Sequence, residues 1–218
     1  MKTFSGNRRI SKGEVMVEAI TKVMMLDPVV QKAMGEIERE LFVPRGFSMA
    51  AYKLDALPIS GNQWISSPLT VARMTQALMP AGFDSVLEIG CGSGYQAAVL
   101  SKMARRVCTV ERIERLLVEA KGRFKQLGVM NILSRLADGQ EGWPEYAPFD
   151  RILFSASVKE VPRVLFDQLE EGGILVAPIE EGERQVITRF VKQSGRIRTE
   201  AIEACQFVPV LDGIESLD

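Results

Sequence analysis

Between Asp84 and Tyr95 the chain reads Asp-Ser-Val-Leu-Glu-Ile-Gly-Cys-Gly-Ser-Gly-Tyr. Gly90, Gly92 and Gly94 fall at every second position, behind the apolar Val86, Leu87 and Ile89, which read as a short buried strand. Gln96 to Met103 is a helix-forming run with few breakers. Strand, glycine turn and helix open a nucleotide-binding βαβ unit. Glycine lets the backbone take positive φ and lets a ligand lie against it without a Cβ in the way. The first turn of the helix points unpaired N–H groups at that ligand. The same spacing with no ligand is a plain glycine turn.

The neighbours of the glycines discriminate between ligands. The dinucleotide fingerprint is G-x-G-x-x-G, and its last glycine is here Tyr95. Glu88 stands two residues before Gly90, where it would repel a pyrophosphate and favour a ligand with a cationic centre. S-adenosylmethionine, with a sulfonium and an ammonium group, is such a ligand. E-x-G-x-G-x-G resembles the first motif of the class I methyltransferases, so Glu88, Gly90, Gly92 and Gly94 are expected at the cofactor. Glu111 ends a second apparent strand, Arg106 to Val110, about 20 residues beyond the first glycine, where an acidic side chain accepts from ribose hydroxyls. A surface glutamate is the alternative. Asp138-Gly139 follows strand-like Ile132 to Leu136, and an acidic side chain there can meet the adenine amino group. An ordinary Asp-Gly turn is the other reading.

A second stretch carries polar groups without charge. Ala56 to Ala72 has no charged residue, and within it Ser67 reads as a helix N-cap and Pro68 as the first helical position. Gln63 to Ser66 then form a loop at a helix entrance; a cap plus a structural loop is the alternative. Ser155-Ala156-Ser157 end a fourth strand, Phe149 to Ala156, and should face the cleft. The chain has no histidine, which removes the commonest general base, the usual triads and most zinc sites. No metal ligation is expected.

The elements that must position these residues follow the chain. Ser11 to Glu14 fit a capping box ahead of a helix whose apolar residues recur at helical spacing. Asp27-Pro28 starts a second helix running toward Glu40. Ile113 to Leu127 is amphipathic and closed by Gly128. Val161 to Leu169 reads as a helix, Ile174 to Pro178 as a fifth strand, and Gln185 to Lys192 with Ile197 to Gln206 as an antiparallel hairpin. The expectation is α/β: a mostly parallel Rossmann-like sheet, helices on both faces, antiparallel C-terminal strands and an N-terminal helical extension. The 218 residues suit one domain, with residues 1–80 as helices and substrate loop and 81–218 as core and terminal strands. The net charge of -1 implies no bulk attraction to nucleic acid or membrane. No apolar run approaches ~18 residues and residues 1–10 lack an apolar signal region, so a cytoplasmic protein is expected. Cys91, Cys108 and Cys205 form no CxxC pair and read as reduced packing residues.

Several segments together resemble the protein-L-isoaspartate O-methyltransferase family over nearly the whole chain. They are Arg39-Glu40-Leu41-Phe42-Val43-Pro44, Ala56-Leu57-Pro58-Ile59, Ile65-Ser66-Ser67-Pro68, the glycine motif through Gln96, Val110-Glu111-Arg112-Ile113, Asp138-Gly139 with Gly142-Trp143-Pro144, and Phe207-Val208-Pro209-Val210. The resemblance implies methyl transfer from S-adenosylmethionine to the free α-carboxyl of L-isoaspartyl residues in damaged proteins. The ester then collapses to a succinimide that reopens partly as normal aspartate. It implies Ser66 as the active-site residue, Ile65 and Ser66 beside the cofactor, and isoaspartyl proteins and peptides as substrates; no nucleic-acid or membrane partner is expected, and a monomer is expected. Two positions depart from the family: Trp64 stands where threonine is usual, and Ser157 where alanine is usual. Both are expected at the substrate pocket; the Trp64 indole packing over the N-terminal helices is the alternative. Another methyl acceptor and a non-catalytic cofactor-binding member are the competing functions.

Overall fold

Two capped helices lead the chain in. The structure, a computed structural model, describes residues 10–80 and 82–216. Helix α1 (Lys12–Thr21) has the expected capping box: the Ser11 hydroxyl accepts from the Glu14 N–H and the Glu14 carboxylate from the Ser11 N–H. Asp27 and Pro28 start α2 (Pro28–Glu36). This helix stops well short of Glu40. Ile37 turns extended to enter the core, and Arg39–Phe42 form a separate 3-10 turn that buries Arg39 and Phe42. The stretch before Ser66 is more ordered than a loop. β1 (Leu57–Pro58) pairs antiparallel with β2 (Trp64–Ile65), across a turn in which Gly61 and Asn62 both take positive φ, 67° and 56°. Ser67 caps α3 (Pro68–Ala77), its hydroxyl accepting from the Thr70 N–H at 3.1 Å.

The core then alternates strand and helix: β3 (Ser85–Ile89), α4 (Tyr95–Leu100), β4 (Arg106–Glu111), α5 (Glu114–Gln126), β5 (Ile132–Leu136), β6 (Phe149–Phe154), α6 (Arg163–Asp167) and β7 (Leu169–Glu181). A terminal hairpin, β8 (Arg184–Gln193) and β9 (Arg196–Cys205), turns at Ser194 and Gly195, both at positive φ. The seven strands lie in the order β5-β4-β3-β6-β7-β8-β9. The first five are parallel and the last two antiparallel, as expected. Two helices are shorter than their sequence patterns. α4 ends at Leu100 rather than Met103, and α6 spans five residues because Leu169 already pairs with Phe149 at the start of β7.

Strand periodicity sorts the side chains onto two faces. Val86, Val107 and Leu153 face one core, built with α1 to α5; Leu87, Ile89 and Ile152 face the other, under α6 and the turns carrying Trp143 and Tyr146. Glu88 therefore shares a face with Val86, and Thr109 is its direct partner in register on β4. The chain leaves β3 in one direction through β4 and β5, then returns to the other side of β3 through β6 and β7. The carboxyl ends of β3 and β6 part at this reversal, where open α/β sheets bind ligands. All three cysteines are free. Among the described residues no helix is long and apolar enough to cross a membrane, and no group of three potential metal ligands occurs.

Candidate active site

Three clefts meet at the switch point. The first encloses about 660 Å³ with its open mouth, over Gly90, Gly92 and Glu111 at the strand ends, with Gly139 to one side and Val208 to Leu211 closing it. A narrower gap lies between the Ser66 loop and the glycine turn, lined by Ile65, Ser66, Cys91, Tyr95 and Phe207. An outer cleft runs past Ser66, Ser67, Thr70 and Gln206.

The three glycines divide their work. Gly90 and Gly92 sit at φ 90° and 53°, which side chains rarely adopt, and both border the first cleft. A Cβ added at Gly92 meets nothing within 4 Å, so its backbone stands open to a ligand. Gly94 does something else. A Cβ there would come 2.8 Å from the Phe124 ring, so this glycine lets α4 dock on α5, and it does not line the cleft. Glu111 holds the turn in place. Its carboxylate accepts from the Gly92 N–H at 2.7 Å and the Ile113 N–H at 2.9 Å while bordering the cleft. Burial raises its pKa, and those backbone N–H groups oppose the rise. Glu111→Ala removes both bonds as well as the proposed ribose contact. It is expected to weaken S-adenosylmethionine binding by about 1.5–3 kcal/mol; unchanged affinity in a calorimetric titration removes Glu111 from the site.

Other sequence expectations land elsewhere. Glu88 does not reach a cleft: it is 0% exposed, with one oxygen on the Thr109 hydroxyl at 2.5 Å and the other on Ser155 at 3.2 Å. Its place on the core face of β3 puts it one layer beneath the ligand surface. Burial pushes its pKa up to about 8, above any lowering by its hydroxyl partners, so it is mostly neutral at neutral pH. Asp138 turns its carboxylate to two backbone N–H groups, Gln140 at 2.9 Å and Gly213 at 2.8 Å, tying the C-terminal segment down beside the first cleft. Gly139 borders that cleft, and a Cβ there would lie 2.4 Å from the Ile89 side chain. Ser157 is also misplaced by the sequence reading. It is buried, donates to Glu180 at 2.9 Å, accepts from Gln185, and pairs its backbone with Val208 and Val210. The chain leaves β6 at Phe154, so Ser155 and Ala156 border the cleft and Ser157 clamps the terminal segment.

Trp64 is 55% exposed and borders all three clefts, so its indole does not pack over the N-terminal helices. Its loop is held above α5 by the Ser60 hydroxyl, which donates to Glu119 at 2.9 Å. Ile65 is buried beside it. Ser66 borders two clefts, and no hydrogen bond within the described residues engages its hydroxyl; capping falls to Ser67. The Ser66 carbonyl accepts from Arg39 Nη2 at 2.7 Å. Arg39 is a supporting residue that sequence reasoning did not single out. Fully buried, it also donates to the Ala51 carbonyl and stacks 4.4 Å from the Tyr95 ring, joining the Ser66 loop to the glycine motif. Its only signal was its place in the Arg39–Pro44 segment. Of the Phe207–Leu211 wall, Phe207–Val210 was likewise visible only as a family segment, because no local pattern tells which cleft a terminal segment will close.

A parallel sheet with an open glycine turn at its switch point and an acidic strand end beyond is the arrangement of class I methyltransferases. Solved structures agree: a protein-L-isoaspartate O-methyltransferase superposes with a TM-score of 0.82 at 28% identity, over 92% of this chain and 66% of that longer one. A Plasmodium falciparum structure described as a putative protein-L-isoaspartate O-methyltransferase in complex with S-adenosyl-L-homocysteine shares the fold, with a TM-score of 0.80 at 24% identity over 92% and 99% of the two chains. The profile of protein-L-isoaspartate(D-aspartate) O-methyltransferases matches residues 10–215, and the chain belongs to that family. Relatives of that name include one from Helicobacter pylori strain G27, 58% identical over 94% of this chain and 98% of its own. Another, from Desulfosudis oleivorans, is 45% identical over 94% and 93%.

Proposed function

We propose that this protein is a protein-L-isoaspartate O-methyltransferase that esterifies the α-carboxyl of isoaspartyl residues. The observation that carries the mechanism is the lining of the Ser66 clefts: apolar side chains interspersed with uncharged polar ones such as Ser66, Thr70, Ser155 and Gln206, with no histidine in the chain and no carboxylate, lysine or arginine among the described lining residues. An α-carboxyl has a pKa near ~3.5 and is ionised at neutral pH, so this acceptor needs no base. An amine or catechol acceptor more often needs a base or a metal.

The first cleft fits S-adenosylmethionine. Gly92 offers open backbone, Glu111 an acceptor at the cleft wall, and Gly139 a surface without a side chain. When bound there, S-adenosylmethionine supplies a methyl group on a sulfonium, which an ionised carboxylate can take without prior deprotonation. The chain's own contribution is position and partial exclusion of water. The Ser66 hydroxyl holds one carboxylate oxygen of the acceptor. Arg39 fixes the loop from behind, and Trp64 and Phe207 wall the meeting point of the clefts. The reading treats the whole chain as one domain and as a cytoplasmic monomer that needs neither nucleic acid nor membrane.

The deciding experiment supplies labelled methyl donor with an isoaspartyl peptide, its aspartyl twin and bulk RNA. Base-labile label on the isoaspartyl peptide alone supports the reading. Labelled RNA, or cofactor binding without transfer, overturns it.

Trp64 gives a prediction about specificity. Trp64→Thr is expected to alter turnover on isoaspartyl peptides while leaving cofactor affinity within about twofold. The exposure of the indole predicts a stability change within about 0.5 kcal/mol, as for surface substitutions away from packing features. A lowered melting temperature with unchanged kinetics would return Trp64 to a packing role.

A further inference from the structure

Two residues border all three clefts: Trp64 from the substrate loop and Ser155 from the end of β6. An anionic acceptor passing between them has to be held by neutral donors, since no cation lines the Ser66 clefts among the described residues. Few hydroxyls are at liberty to do so. Those of Ser67 and Thr70 bond each other at 2.9 Å as part of the α3 cap. Ser93 and Tyr95 border the narrow gap alone; the Ser66 hydroxyl has no partner among the described residues, and Ser155, whose hydroxyl bonds only Glu88, borders all three clefts. Resting on the isoaspartyl reading, we propose that Ser155 is the second hydroxyl holding the acceptor carboxylate, and that Glu88 beneath it sets which way its hydrogen points.

The geometry for this lies on one face of the sheet. Glu88 and Thr109 are partners in register on β3 and β4, and Ser155 follows β6 on the other side of β3. The Thr109 hydroxyl bonds one Glu88 oxygen at 2.5 Å and Ser155 the other at 3.2 Å. An ionised Glu88 takes the Ser155 hydrogen, leaving only lone pairs toward the cleft, and those repel a carboxylate. A neutral Glu88 can donate its own proton to the Ser155 oxygen, and the Ser155 hydrogen is then free for the acceptor. Burial keeps Glu88 in the neutral form up to about pH 8. The titratable groups facing it are Glu111 on β4 and the Cys91 thiol in the glycine turn, both themselves raised by burial. Glu88 thus reaches the chemistry through Ser155.

The test titrates an isoaspartyl peptide calorimetrically into enzyme loaded with S-adenosylhomocysteine, for the parent, Ser155→Ala and Ser155→Thr. Ser155→Ala is expected to bind the peptide about tenfold more weakly, the size of one lost hydrogen bond to a charged group. Ser155→Thr keeps the hydroxyl and the parent affinity, and S-adenosylhomocysteine affinity stays within about twofold throughout. Peptide affinity of the parent and of Ser155→Thr falls as pH rises past about 8, while that of Ser155→Ala is flat. Equal peptide affinity for parent and Ser155→Ala overturns the proposal, as does cofactor affinity falling in step with peptide affinity. If Ser155→Ala does not fold, a flat pH course in the parent and Ser155→Thr overturns it. Failure of the isoaspartyl reading looks different: the parent itself takes up no peptide.

Discussion

Ser66→Ala is expected to lower kcat/KM on an isoaspartyl peptide by about tenfold to somewhat over a hundredfold, without abolishing it. That range corresponds to one lost hydrogen bond to a charged group, roughly 1.5–3 kcal/mol. Ser66 borders the narrow gap and the outer cleft, and no protein group among the described residues claims its hydroxyl. The loop keeps its support in the variant, because Arg39 bonds the Ser66 carbonyl and Ser67 carries the cap. The melting temperature is therefore expected to hold, and so is cofactor affinity. The pH profile should keep its shape, since serine does not titrate in range and no base stands ready to make it a nucleophile. Parent kcat/KM in Ser66→Ala would sink the assignment. A trapped O-methylserine at this position would replace the orienting role with a covalent one.

Glu88→Gln is expected to stabilise the ligand-free protein at alkaline pH and to leave it nearly unchanged in acid. The Glu88 pKa in the fold is about 8, against an ordinary 4.5. Below 4.5 the folded and unfolded chains both carry the proton. From there to about 8 the unfolded chain releases it and the folded chain keeps it, so the folded state binds more protons and stability falls as pH rises. Above about 8 the loss is complete. Each pKa unit is worth about 1.4 kcal/mol, so the interval carries on the order of 5 kcal/mol. Glutamine keeps the shape and both hydrogen-bonding positions without the titration. Melting curves across this pH range should therefore diverge, by about 2–4 °C for each kcal/mol in a chain of this size. Glu111, whose charge adds to the rise at Glu88, remains titratable in both proteins. Parallel curves would mean that the Glu88 carboxylate has an ordinary pKa and is hydrated or paired.

These two residues illustrate different degrees of legibility. Ser66 could be placed from sequence because its cues are local: a cap, a proline and an uncharged loop. The same holds for the capping box at Ser11, the N-caps at Asp27 and Ser67, for Ile132–Leu136, and for the turn at Ser194-Gly195. Each is set by interactions within a few residues, which the chain carries wherever it folds. Element ends were less legible where tertiary contacts cut them short. α2 stops because Ile37 and Phe42 are drawn into the core, and α6 shortens because Leu169 pairs with β6.

By itself the sequence determined the αβ alternation, the glycine turn at a strand end, the acidic residue ending the next strand and the polar loop before α3. Those follow from periodicity, backbone permissiveness and capping, all short-range properties. The tertiary structure decided what each group touches. Gly94 became a packing glycine because Phe124, thirty residues away, lies where its Cβ would be. Ser157 became a clamp because Glu180 arrives beside it from β7 and Val208 from the segment after β9. Glu88 sank below the ligand surface because pairing β3 between β4 and β6 closes Thr109 and Ser155 over it. In each case the deciding partner comes from a distant segment, and only the sheet order brings it within reach.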